Sequence, residues 1–246
     1  MESLRLTEII QRVEAASEPR VELLTQAERT GRRLGILAAS FNPVTVAHVE
    51  LMNRAAEAFS INETLALAGI TNADKTGYEC SLEDRVAMIQ LAFGDDSRVS
   101  IGLSSHAFYV DMIEALERVC GPGTDLHFIV GFDTFERVLD RDDRYTRRYH
   151  RSFSNRTEAL QYLISRSRLI VAARAGAGFD EVRRLVEQEP AEISERILYL
   201  DFPAELGELS ATKVRARVAA GLSITGLVPK TVERYIIERR LYRAAI

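Results

Sequence analysis

A chain of 246 residues, 46% hydrophobic and 28% charged, can bury one substantial core and is not a disordered segment. Its 32 Lys plus Arg against 36 Asp plus Glu leave a formal net charge of −4, which argues against a coat for nucleic acid, and no apolar run is long enough for a membrane span. Two cysteines, Cys80 and Cys120, supply neither a disulfide framework nor metal-ligand spacing, so a soluble, cytoplasmic protein is expected.

Residues 1–33 alternate charged and apolar positions and lack the uninterrupted apolar stretch of a signal peptide. Leu4, Leu6, Ile9, Ile10 and Val13, then Leu23, Leu24 and Ala27, predict one or two amphipathic helices here. Such an N-terminal helical extension packs on the core or mediates self-association, which leaves a homo-oligomer open. The main domain is expected over 34–246. Short aliphatic runs predict strands over 34–39, 64–70, 99–103, 126–131, 169–173 and 197–201. Amphipathic spacing predicts helices over 46–59, 82–93, 110–119, 158–165, 180–187, 211–220 and 229–241. Gly221 closes one of these, and Pro229 sits in the first turn of the next, where its missing N–H costs nothing. The alternation predicts an α/β fold, a doubly wound parallel sheet with helices on both faces. The arginine-dense stretch 140–156 reads as a solvated loop or exposed helix, with a basic flap over an anionic substrate as its functional alternative.

The stretch from Gly35 to His48, GILAASFNPVTVAH, is the most informative. An apolar strand runs into Ser40-Phe41-Asn42-Pro43, and a helical pattern follows Thr45. The carboxyl end of a parallel strand beside a helix N-terminus is a place for anions. Ser40, Asn42, Thr45 and His48 add polar side chains to that corner, and His48 lies one helical turn beyond Thr45. Neither a GxGxxG nor a GK[ST] pattern is present at this corner, so the residues alone indicate a phosphate site and no more.

The run SFNPVTVAH resembles the signature [ST]-F-[ND]-P-x-[HT]-x-x-H of the HIGH-motif nucleotidylyltransferases. Leu209-Ser210-Ala211-Thr212-Lys213-Val214-Arg215 resembles their I-S-S-T-x-x-R. The residues after it, Gly221, Leu227-Val228-Pro229, Tyr235-Ile236 and Leu241-Tyr242, resemble the tail of nicotinamide and nicotinate mononucleotide adenylyltransferases. Phe128-Ile129-Val130-Gly131-Phe132-Asp133 and Val171-Ala172-Ala173-Arg174 resemble two further elements of that family, in order, over roughly 34–246. The resemblance implies a Rossmann-like nucleotidylyltransferase fold and attack of a mononucleotide 5′-phosphate on the α-phosphorus of ATP, giving a dinucleotide and pyrophosphate in NAD biosynthesis. Such a nucleophile is already ionised, so catalysis reduces to positioning and charge stabilisation. The resemblance assigns catalysis to His48, Lys75 and Arg215. It assigns phosphate and nucleotide binding to Ser40, Phe41, Asn42, Thr45, Gly131, Asp133, Arg174, Ser210 and Thr212. Arg85, Phe108, Tyr109 and Phe132 stand for the acceptor side. Mg²⁺ is implied with ATP, bridging phosphate oxygens without a protein metal site. The implied partners are ATP and a pyridine mononucleotide, with neither nucleic acid nor membrane.

Ala39 and Ala47 stand where the family has glycine, Ala211 where it has serine, and Thr45 where it has its first histidine. The chain has no tryptophan to stack on a pyridine ring. Two alternatives follow: another phosphate-ester acceptor such as phosphopantetheine, or a CTP donor, on the same fold; and a catalytically weak nucleotide-binding regulator.

Overall fold

The computed structural model describes residues 2–27, 32–71, 73–74, 77–172 and 178–243. In chain order, α1 (Glu2–Glu14), β1 (Val21–Thr25), β2 (Arg33–Ala39), α2 (Val46–Ala58), β3 (Glu63–Gly69), α3 (Leu82–Phe93), β4 (Val99–Ser104) and α4 (Tyr109–Cys120) make up the first half. Then follow β5 (Asp125–Gly131), α5 (Phe132–Leu139), a 3-10 turn (Thr146–Arg148), α6 (Arg156–Arg166), β6 (Ser167–Ala172) and α7 (Gly178–Val186). The chain ends with α8 (Ala191–Ser194), β7 (Ile197–Leu200), α9 (Ala204–Gly207), α10 (Ala211–Ala219) and α11 (Lys230–Glu238).

Seven strands form one sheet in the order β1-β4-β3-β2-β5-β6-β7. Strands β2 to β7 are parallel, and β3, buried at every residue, shows why such strands read as plain aliphatic runs. Neighbouring residues of a strand serve opposite faces. Leu37 and Ile129 pack on the layer with α1, α2, α3 and α11, whereas Ile36, Phe128 and Val130 pack on α4, α5, α6 and α7. The connections leave β2 toward β3 and β4, then return to β5 on its other side. The crevice beyond the carboxyl ends of β2 and β5 is therefore the switch point where α/β sheets bind ligands.

Three features differ from the sequence expectation. Among the described residues of 1–33, α1 is a helix as expected, but Leu23 and Leu24, read as helical, belong to β1, which pairs antiparallel with β4 from Val21 opposite Ser104. Short and Pro-flanked, β1 covers the edge that β4 would otherwise expose. Helix α5 was not foreseen, although Phe132, Phe135 and Leu139 are all buried at helical spacing. The stretch 140–156 is a loop, but a folded one. The buried Asp140 carboxylate accepts the N–H groups of Arg144, Tyr145 and Thr146, and Tyr145 and Thr146 are themselves buried. Smaller shifts are of the usual size: Pro229 caps α11 instead of entering it, and Ala173, the end of one expected strand, lies outside the described residues.

Candidate active site

After β2 the chain turns through a buried loop and starts α2 with Thr45 as its N-cap. The Thr45 N–H donates to Nδ1 of His48 at 2.9 Å, and Thr45 Oγ1 lies 3.0 Å from the same nitrogen. Accepting that N–H requires an unprotonated Nδ1, so the neutral ring carries its proton on Nε2. Burial pushes the imidazole down to about 4, which keeps it neutral at physiological pH. The Phe41 ring meets the imidazole edge-on at 5.2 Å and is itself backed by Phe93. Phe41 thus lies in the core and props His48. The Val46 N–H, another first-turn donor of α2, is taken by the Leu227 carbonyl at 3.1 Å.

The second motif opens α10. Ser210 is its N-cap, accepting the Lys213 N–H at 3.2 Å. Arg215, only 11% exposed, donates to the Asn42 carbonyl at 2.7 Å and pairs with Glu79 at 2.9 Å; Thr212 Oγ1 is 3.3 Å away. The buried Asn42 side chain donates to Glu79 at 2.6 Å and accepts from the Cys80 thiol at 3.1 Å, and Tyr242 is 3.2 Å from that sulfur. Asn42 therefore ties the first motif to the second. Glu79, Cys80 and Tyr242 were not foreseen, because nothing in their local sequence marks a side chain that closes a network across the fold.

Three helix N-termini face one cavity of about 260 Å³. Thr45 and His48 line it from α2, Gly131, Phe132 and Asp133 from α5, and Ser210 and Ala211 from α10. Their dipoles, and those first-turn N–H groups not already bonded within the protein, favour an anion in this cavity. A methyl group built on Gly131 would meet nothing within 4 Å, so its missing side chain opens onto the cavity. Ala39, Ala47 and Ala211, the three alanines among the departures from the motifs, all line it as well.

A second cavity of about 240 Å³ adjoins the first, with Ala38, Ala39, Tyr109 and Thr134 common to both. Its walls are aromatic. Phe108 meets Tyr149 at 5.0 Å and Tyr145 at 5.7 Å, and the Arg148 guanidinium lies 5.4 Å from the Phe108 ring. Tyr145 donates to Asp74 at 3.0 Å, and Asp74 also pairs with Arg144 and Arg137. Tyr78, Tyr145 and Tyr149 escaped the sequence reading, the last two because arginines dominate the composition of 140–156.

The expected residues fall into groups. His48, Thr45, Gly131, Asp133 and Ser210 line the first cavity, Ser40 and Phe108 the second, and Tyr109 both. Phe132, expected on the acceptor side, lines the first cavity. Arg85 departs further. Its buried guanidinium donates to the carbonyls of Ser40 (3.0 Å) and Gly69 (2.9 Å) and lies 3.8 Å from the Tyr78 ring centre, pinning the ends of β2 and β3. Desolvation lowers its pKa. Lys75 and Arg174 lie outside the described residues.

A cytidylyltransferase-like family model matches residues 36–217. A protein of Geobacter sulfurreducens described as a probable nicotinate-nucleotide adenylyltransferase is 30% identical over 233 residues, covering 85% of this chain and 98% of its own. One of Gemmatimonas aurantiaca with the same description is 29% identical over 216 residues, covering 86% of this chain and 92% of its own. Among solved structures, the Plasmodium falciparum nicotinic acid mononucleotide adenylyltransferase complexed with NaAD superposes with a TM-score of 0.64 at 17% identity. It covers 86% of this chain and 98% of its own, and is alike in fold.

Proposed function

The chain belongs to the cytidylyltransferase-like family and, within it, to the nicotinamide/nicotinate mononucleotide adenylyltransferases, and on that premise we propose that it transfers AMP from ATP to nicotinate mononucleotide, releasing pyrophosphate, as a step of NAD biosynthesis. One arrangement carries this reading. Two cavities of similar size, one ringed by helix N-termini and one by aromatic rings, meet at Ala38 and Ala39. ATP in the first and the mononucleotide in the second bring a 5′-phosphate against the α-phosphorus at the end of β2.

The attacking phosphate needs no base, so the protein supplies position and positive potential. His48, neutral and held by Thr45, points its Nε2–H at the α-phosphate. The N-termini of α2 and α10, together with Arg215, take the triphosphate and then the leaving pyrophosphate. Gly131 gives the nucleoside room to pack on the backbone. In the second cavity Phe108, Tyr145 and Tyr149 do for the pyridine ring what tryptophan does elsewhere. Helix α4 opens on that cavity with an N-cap, Phe108, that offers no side-chain oxygen, so its positive end suits the carboxylate of nicotinate better than a neutral amide.

Among the described residues, no three His, Cys, Asp or Glu side chains group to hold a metal ion. The donors of the first cavity are N–H and hydroxyl groups, which suit phosphate oxygens; Mg²⁺ enters as MgATP, held by phosphates and water. The two free thiols suit a reducing cytoplasm, and no described helix is long and apolar enough to cross a membrane. The test is pyrophosphate release from MgATP with nicotinate mononucleotide, nicotinamide mononucleotide or phosphopantetheine as acceptor. Turnover is expected with nicotinate mononucleotide foremost; silence with both pyridine mononucleotides would overturn the proposal.

A further inference from the structure

Two buried carboxylates bracket the segment that walls the second cavity. Asp140, 5% exposed, gathers the N–H groups at the start of the segment. Asp111, 4% exposed and in the first turn of α4, accepts the His150 N–H at 2.9 Å at its end. Tyr145 and Tyr149 lie between these anchors, and both face the cavity. We propose that Asp111 is a positioning residue for the mononucleotide: by holding the His150 backbone it fixes the Tyr149 wall against which the pyridine ring packs. This rests on reading the second cavity as the acceptor side.

Asp111 is a poor choice for stability alone. Its Oδ2 has no partner at hydrogen-bond geometry among the described residues, the Arg151 N–H helping only weakly against the cost of burial, and an incompletely satisfied buried carboxylate costs more than an apolar side chain of the same shape. Its geometry is specific, however. Val110 and Met112, its neighbours on α4, line the cavity from one side while Tyr149, next to His150, lines it from another. One hydrogen bond thus joins two walls of the same pocket.

His150 has a second tether, and magnitudes decide between the two. Its Nε2 lies 3.3 Å from Glu18, in the connection between α1 and β1, and its ring meets His106 at 5.5 Å. His106 in turn lies 2.8 Å from Ser105 Oγ, which accepts the Arg20 N–H at 2.9 Å. Glu18 is 76% exposed, so its ion pair contributes little, whereas the Asp111 bond is charge-assisted and shielded. If Asp111 is removed, Asp140, the Tyr145–Asp74 bond and the bond from Arg148 to the Ala73 carbonyl keep the front of the segment in place. Only the Tyr149 end loosens.

The experiment compares Asp111→Ala, Asp111→Leu and Asp111→Asn in steady-state assays with MgATP and nicotinate mononucleotide. Alanine and leucine are expected to raise KM for the mononucleotide about tenfold while leaving KM for ATP within about twofold and kcat nearly unchanged. Asparagine still accepts the His150 N–H and restores the wild-type KM. Leucine fills the space of the carboxylate, so a fold weakened by a cavity in the alanine variant is told apart from a lost anchor. The inference is overturned if both KM values move together, if neither moves, if asparagine fails to rescue, or if neither alanine nor leucine yields folded protein. Absence of turnover in the wild-type chain would instead refute the reading of the cavity itself.

Discussion

Replacing His48 by asparagine separates the two tasks of its ring. The asparagine oxygen reaches the position of Nδ1 and still accepts the Thr45 N–H, while nothing remains at Nε2. Removing one preorganised donor from a developing charge costs about 10²–10³ in kcat, or about 2.7–4 kcal/mol. The fold loses mainly the edge-on contact with Phe41, about 0.5–1.5 kcal/mol, which lowers Tm by about 1–6 °C for a chain of this size. His48→Ala loses the same donor and also leaves the Thr45 N–H unpaired, a further cost of about 1–3 kcal/mol. The two variants should therefore match in kcat and differ in Tm, measured by pyrophosphate release at saturating substrates and by thermal unfolding. Asparagine activity within about fivefold of wild type would show that Nε2–H is not used.

The protonation of His48 adds a second reading of the same variant. Its pKa, held near 4 when folded, lies below the ordinary 6.5, so the folded state favours the neutral ring. Stability is complete above pH 6.5 and falls as pH drops toward 4, by up to about 1.4 kcal/mol per pH unit. Activity should show no bend from His48 at pH 6.5. The substrate phosphate, with a second pKa of about 6, bends the profile in wild type and His48→Asn alike. A bend at 6.5 present only in the wild type would refute a neutral His48.

On the proposed role of Arg215 at the triphosphate, Arg215→Ala should raise KM for ATP and lower kcat together, by about tenfold or more each; a fall in Tm with unchanged kinetics would reassign the fork that joins Asn42 and Glu79 to the fold. Gly131→Ala should leave Tm within about 2 °C, since the added methyl meets no protein atom, yet raise KM for ATP by about fivefold or more. An unchanged KM would move the nucleoside elsewhere. Deleting residues 2–27 removes Ile9, Ile10, Val13 and Val21 from the two cores, roughly 6–12 kcal/mol of burial against a total stability of about 5–15 kcal/mol. Cooperative unfolding should be lost; a truncated chain with a wild-type melting curve would show that the extension is an ornament.

The inner strands β2 to β6 were legible because they are largely buried and carry one message, aliphatic, over six or seven residues. The corner from Ser40 to His48 was legible because backbone and side chains of one short run do the work together. Elements failed where two messages overlapped. In β1, Leu23 and Leu24 side by side fit a helical stripe as well as an edge strand, and only pairing with β4 decides between them. In α5, Phe132 fits a ligand-facing position as well as a core one, which masks its spacing with Phe135 and Leu139. Around the second cavity, Tyr78, Phe108, Tyr145 and Tyr149 come from three separate connections, and no window of sequence brings them together.

The alanine departures have a physical reading that sequence could not supply. Ala39 is the last residue of β2, in regular parallel register with Ala68, so no unusual backbone there calls for glycine. Ala47 lies in the first turn of α2, where alanine favours the helix by up to about 1 kcal/mol over glycine, and Ala211 in the first turn of α10, where it favours the helix over serine by less. The only ground for a smaller or more polar residue at these places is the ligand, and a cavity of about 260 Å³ remains with all three methyl groups present. The donors aimed at that space, His48 and three helix N-termini, do not depend on the replaced side chains. Stiffer helix starts around an intact set of donors are what a reaction driven by positioning requires, and this weighs against a blunted site that binds nucleotide without turning it over.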